Sequence, residues 1–139
     1  MNEFNYSKDV TVRFNDLDTL GHVNNAAYVS YLEEARGGYY DDIVGVSFET
    51  LPTVIATLEI EYHSEITRNQ SVAVGVRVPR LGTTSIPMEY EIRTTEPDSE
   101  DTTIAATAET VQVNTNPETG EPAPIPKDWR NAISNHEGL

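Results

Sequence analysis

Cysteine is missing altogether from this chain of 139 residues. Its absence excludes a disulfide framework, a thiolate metal site and a cysteine nucleophile, and it fits a reducing, cytoplasmic location. Lysine is nearly missing too: Lys8 and Lys127 stand against seven arginines. No segment approaches the ~18 consecutive apolar residues of a membrane span, so no membrane association is expected. The start, MNEFNYSKDV, is polar and acidic and lacks the basic-then-apolar layout of a signal peptide. Neither a glycine-rich phosphate loop nor a GxSxG nucleophile turn occurs. The three histidines, His22, His63 and His136, show no i, i+4 pairing with carboxylates, so neither a metal site nor a prosthetic group is expected.

Acid is present in excess, with 23 acidic residues against 9 basic ones and a net charge of −14. A field of that sign repels nucleic acid and anionic lipid, which removes both as expected partners. The acids are spread over the whole length instead of gathered in a tail. Dispersed acidity with scarce lysine suits a protein from a high-salt cytoplasm, and equally a plain solubility charge. The length predicts one domain over residues 1–139, with a Pro-rich tail at 121–139.

Residues 8–15 (KDVTVRFN) alternate, which predicts a half-buried strand with Val10, Val12 and Phe14 on one face. Over 26–43 the period changes to that of a helix: Tyr28, Tyr31, Leu32, Ala35 and Tyr39 form one stripe. Asn24 or Asn25 is a suitable N-cap, and the Gly37-Gly38 pair is expected to weaken the last turn or end the helix early. Residues 53–63, 70–80, 85–94 and 103–115 read as strands, with turns at LGTT (81–84) and EPDSED (96–101). KDWRNAI, after Pro126, reads as a short terminal helix, leaving His136 in a frayed end. One helix cannot cover both faces of five strands. The expected fold is therefore α+β, a strongly twisted antiparallel five-stranded sheet wrapped around one long central helix, with a homodimer or homotetramer covering the remaining surface.

The stretch FNDLDTLGHVNNAAY, residues 14–28, places a polar loop directly before that helix. Its Asp-x-Asp pair is not informative by itself: about four acid-x-acid pairs are expected by chance in so acidic a chain, and five occur. The setting of Asp18 says more. It lies just upstream of a helix N-terminus, where unpaired amides and the positive dipole end stabilise charge developing on a carbonyl oxygen. A carboxylate there can act as nucleophile or general base, with Gly21 allowing a close turn and His22, Asn24 and Asn25 supplying donors. The other reading of the same residues is an Asx-rich capping loop with both aspartates solvated.

RFNDLDTLGHVNNAAYVSYLEEAR (13–36), LEIEYHSEI (58–66), VPRLGTTSIPMEYEI (78–92) and EPAPIPKDWRNAI (121–133) together resemble the 4-hydroxybenzoyl-CoA thioesterase-like (acyl-CoA thioesterase) family of hot-dog folds. The resemblance rests on D-x-D-x-x-G-H-V-N-N followed by a helix with Y-x-x-Y-x-E-x-A-R, and on the R-x-G-x-S-S hairpin. It implies hydrolysis of an acyl-CoA. Asp18 would be nucleophile or general base, and the Asn25 backbone N–H would polarise the thioester carbonyl. Gly21 and His22 would shape the loop, with His22 a donor to substrate or water and Asp16 structural. It also implies an architectural or subunit-interface role for Glu33 and Arg36. Arg80, Gly82, Thr84, Ser85 and Tyr28 would meet the substrate, with Arg80 facing the coenzyme's phosphates or else pairing with Glu89 or Glu91. His63 and Trp129 are expected to be packing or interface residues. Departures exist: EITRNQS stands where the family has Pro and then a Gly-Asp turn, and Thr84 replaces the hairpin's first serine. An enoyl-thioester hydratase and a non-catalytic acyl-thioester-binding protein are the alternatives.

Overall fold

The computed structural model describes residues 4–139; Met1, Asn2 and Glu3, the first residues of the polar start, lie outside the described residues. Strand β1 (Ser7–Val10) ends sooner than the alternation predicts. Val10 is buried, but Phe14 is 73% exposed, because Phe14–Asp16 coil into a single 3-10 turn. Asp16 causes the turn: its carboxylate accepts the backbone amide of Arg13 at 2.9 Å, closing the chain on itself.

Helix α1 (Asn25–Tyr39) is capped by Asn24, whose side-chain oxygen accepts the Ala26 amide at 2.8 Å. The predicted stripe of Tyr28, Tyr31, Leu32, Ala35 and Tyr39 is its buried face. Gly37 and Gly38 do not end it. The helix passes through them into a wider π-type turn, Tyr40–Val44, and stops at Gly45 with φ 84°. Close packing explains the pair: a Cβ on Gly37 would stand 3.1 Å from the Phe48 ring, and one on Gly38 would overlap the Tyr6 hydroxyl.

Strands β2 (Thr53–Tyr62), β3 (Ser71–Arg77), β4 (Ser85–Thr95) and β5 (Thr102–Asn114) follow. The sheet order is β1-β3-β4-β5-β2, with every neighbouring pair antiparallel. Val74, Val76, Met88 and Ile92 on the inner face join the α1 stripe in one buried cluster. This is the hot-dog arrangement, a sheet curled around a single long helix. The outer face is charged. Glu59, Glu109 and Glu89 stand directly opposite one another across β2, β5 and β4, and the row ends on Arg77 of β3.

A second helix, α2 (Lys127–Glu137), is longer than the sequence predicts. Trp129 is buried beside the Tyr40 ring, as a packing residue should be. His136 is not in a frayed end: its ring meets Tyr39 edge-on at 5.7 Å. The following residue fixes the helix, since Glu137 accepts the Tyr39 hydroxyl at 2.7 Å and the Val78 amide at 2.9 Å. No described helix is long and apolar enough to cross a membrane.

Candidate active site

The polar loop folds into a small hairpin of its own. Leu17 pairs with Val23, the Asp18 amide donates to the His22 carbonyl at 2.8 Å, and Gly21, at φ 82°, makes the turn. Inside it, Asp18 Oδ1 accepts the amides of Leu20 (2.9 Å) and His22 (3.1 Å). Asp18 Oδ2 takes no donor from the described residues, and the residue is exposed. The carboxylate is thus fixed through one oxygen and open at the other. Pairing of His22 with Thr67 and of the Val23 amide with the Ile66 carbonyl (2.8 Å) props the loop on the segment that follows β2.

The start of α1 complements it. Asn24 satisfies the amides of both Ala26 (2.8 Å) and Ala27 (2.9 Å). That leaves the Asn25 amide, the first of the helix, without an acceptor among the described residues. From the end of β2 the Tyr62 hydroxyl donates to the Asn25 carbonyl at 3.1 Å, and Tyr62 stands edge-on to Tyr28 at 4.9 Å. Tyr28 itself is 2% exposed, with its hydroxyl donating to the Ser64 carbonyl. It belongs to the core, not to an open substrate surface.

Asp16 is the structural member of the pair, as the sequence reading holds. Burial would push its carboxyl up, but the Arg13 guanidinium and amide and the Tyr31 hydroxyl (2.8 Å) outweigh that and hold it below the usual range. Tyr31 is correspondingly pushed up, by burial first and then by donation to Asp16.

Arg80, Gly82 and Thr84 lie elsewhere, in the connection between β3 and β4, and Ser85 opens β4. Gly82 donates to the Ser85 carbonyl at 2.9 Å, and a Cβ at Gly82 would collide with the Ser85 hydroxyl. Tyr62 pairs with Ala106 of β5, whereas Ser85 pairs with Val113. At ~3.3 Å per residue the two groups are separated by roughly 23 Å along that strand. A single chain therefore does not bring the two predicted halves of the site together.

Charge pairing sorts the arginines. Arg77 binds Glu89 at 2.6 Å and Arg93 binds Glu91 at 3.1 Å, so Glu89 and Glu91 are taken by neighbours. Arg68 lies over the Phe14 ring at 5.9 Å. Arg80 is exposed and has no partner among the described residues. Arg36 is buried and donates to the Tyr90 hydroxyl at 3.2 Å, with Glu33 at 3.9 Å, which is the architectural role expected of that pair. His63 meets the Thr107 hydroxyl at 3.0 Å on the open edge.

Two residues at the site escaped the sequence reading. Arg130 of α2 donates to the Gly82 carbonyl at 2.7 Å, adding a second cation to the hairpin. Glu65 stands 3.3 Å from His22 Nδ1. Neither contact has a local signal, because each depends on where a distant segment docks. Hollows of about 520 and 490 Å³ open on the outer sheet face and near β1, but Asp18, Asn25 and Arg80 line neither. Among the described residues no three His, Asp or Glu side chains gather to hold a metal ion.

A loop carboxylate before an uncapped helix amide, on a hot-dog sheet, defines a class, and the chain belongs to it: residues 12–133 match the Thioesterase-like superfamily. Among solved structures, a thioesterase from Thermus thermophilus, complexed with coenzyme A and Zn, is 37% identical with a TM-score of 0.85. The match covers 100% of this chain and 98% of that one. A predicted thioesterase from Bacillus stearothermophilus is 29% identical with a TM-score of 0.82, covering 94% of this chain and 95% of that one. The uncharacterized protein YsmA of Bacillus subtilis (strain 168) is 27% identical over 89 residues, a stretch spanning 63% of this chain and 60% of that protein.

Proposed function

We propose that this chain hydrolyses the thioester of an acyl-CoA, with Asp18 attacking the carbonyl or activating water and the Asn25 amide polarising that carbonyl. The observation that carries the reading is an exposed carboxylate, held through Oδ1, in the loop just upstream of an Asn25 amide that has no acceptor among the described residues. The reaction consumes water and uses no prosthetic group beyond the coenzyme A on the substrate. Arg80 and Arg130 supply the local cations that the phosphates of coenzyme A need on so acidic a protein.

A homodimer supplies what one chain lacks. Strand β2 is an unpaired edge carrying exposed Val54, Ile55, Leu58 and Tyr62. Pairing it antiparallel with its copy about a two-fold axis sets the partner's hairpin three strand steps from Tyr62, roughly 14 Å away at ~4.8 Å per step. Each complete site then takes its carboxylate and helix amide from one copy and its phosphate-binding hairpin from the other.

The decisive experiment follows free-thiol release from a panel of acyl-CoAs at low and high KCl. Wild type is expected to release thiol, and Asp18→Ala to lose at least about 10²-fold in kcat. Undiminished hydrolysis by Asp18→Ala overturns the assignment, and loss of enoyl absorbance without thiol release would mark a hydratase instead. Leu58→Arg is expected to sediment as a monomer and to lose activity with the dimer.

A further inference from the structure

We infer that Glu65 is the positioning residue of His22, and that the pair provides the proton acceptor for the water that releases the acyl group. The inference rests on the thioesterase reading above and deepens it.

The geometry begins with pairing. His22 faces Thr67 across an antiparallel bridge, which brings the chain segment containing Glu65 alongside the Asp18 loop. Glu65 Oε1 lies 3.3 Å from His22 Nδ1. A carboxylate oxygen has only lone pairs to offer, so a neutral imidazole sits stably at that distance only with its proton on Nδ1. The consequence is at the far nitrogen. Nε2 is then a bare acceptor, and no described residue hydrogen-bonds it. A free imidazole has no such preference imposed on it, and the resemblance alone left His22 as a donor to substrate or water. Glu65 reverses that polarity.

His22 also shares its backbone with the reactive carboxylate, since its amide holds Asp18 Oδ1 and its carbonyl takes the Asp18 amide. Movement of the loop therefore carries both groups together. In the step inferred, the water oxygen bonds to the acyl carbon and its proton passes to His22 Nε2. The bond from that carbon to the leaving group breaks, and the electron pair departs with the leaving group. That group is Asp18 Oδ2, to which the acyl group has first moved with departure of the coenzyme's thiolate. The imidazolium then returns its proton to the thiolate, so one water is consumed and acid and thiol are produced.

The test has a readout that does not depend on turnover. Long-range ¹⁵N–¹H correlation spectra of the wild-type protein at neutral pH are expected to show His22 protonated on Nδ1, and Glu65→Ala to move the proton largely to Nε2. Glu65→Gln, whose amide oxygen can take the place of the carboxylate oxygen beside Nδ1, is expected to keep the wild-type tautomer. In kinetics, Glu65→Ala should lower kcat about tenfold with little change in KM, His22→Ala about 10²-fold, and Glu65→Gln should recover most of kcat. A wild-type spectrum with the proton on Nε2 overturns the inference, as does a Glu65→Ala enzyme with unchanged kcat. Absence of thiol release by the wild type would instead sink the thioesterase reading and leave the tautomer result to stand by itself.

Discussion

Replacing Asp16 by Asn would take the charge from a carboxylate at which Arg13 and Tyr31 aim their donors, and Asp16 is only 4% exposed. The expected cost is about 1–3 kcal/mol at neutral pH, read by chemical denaturation. The pH dependence follows from the depressed carboxyl. Its stabilisation is fully present above the ordinary aspartate range and is lost as pH falls through the lower, folded value, so Asp16→Asn should flatten the acid limb of the stability curve. An unchanged limb would mean that the Arg13 contact contributes nothing. Two positions on, the Asp18 carboxylate meets only backbone amides among the described residues, and through Oδ1. Asn25 allows a sharper experiment than truncating a side chain. Proline is favoured at the first helical position, and Asn24 already has φ −62° and ψ 140°, a conformation that precedes proline comfortably. Asn25→Pro therefore deletes one N–H and little else. It should lower kcat about 10²- to 10³-fold with the melting temperature nearly unchanged, whereas full activity would remove the amide from the mechanism.

Among the elements, α1 shows how far sequence reasoning reaches. Its stripe and its cap region were legible because both are local: 3.6-residue periodicity and an Asx side chain one residue ahead of the first turn. Its C-terminal half was not, because the glycine pair answers to Phe48 and Tyr6, residues that only the tertiary fold brings near. The same holds for β1, cut short when Asp16 turned the chain, and for α2, extended to Glu137 by contacts with Tyr39 and Val78. At the site, Asp18, Gly21, His22 and Asn25 could be read because they are contiguous. Glu65 and Arg130 could not, and the distance between the loop and the hairpin needed the strand registers. The glycine argument is checkable. Alanine at an ordinary helix position gains about 1 kcal/mol over glycine, yet Gly38→Ala should destabilise by about 1–3 kcal/mol through overlap with the Tyr6 hydroxyl. Adding Tyr6→Phe should restore most of the loss in a thermal melt, and a stabilised single variant would refute the packing account.

Viewed whole, the molecule sets a crowded negative surface against the anionic cofactor arm of the proposed substrate. We expect the melting temperature to rise with KCl, in part because Glu59, Glu109 and Glu89 face one another across three strands. Glu109→Gln should stabilise by about a few tenths of a kcal/mol at low salt, and the gain should fade near 1 M KCl, where the screening length is about 3 Å. A melting temperature highest at low salt would contradict this. The separation between the Asp18 loop and the β3–β4 hairpin has a consequence of another kind, in genetics. If each site draws on two copies, a chain disabled by Asp18→Ala and one disabled by Arg80→Ala carry lesions in different halves. Mixed and allowed to exchange subunits, two inactive preparations would complement each other. Half of the dimers would then be heterodimers with one intact site, returning about a quarter of wild-type activity. A pair of mutant alleles in one cell would behave in the same way, each lesion being recessive to the other.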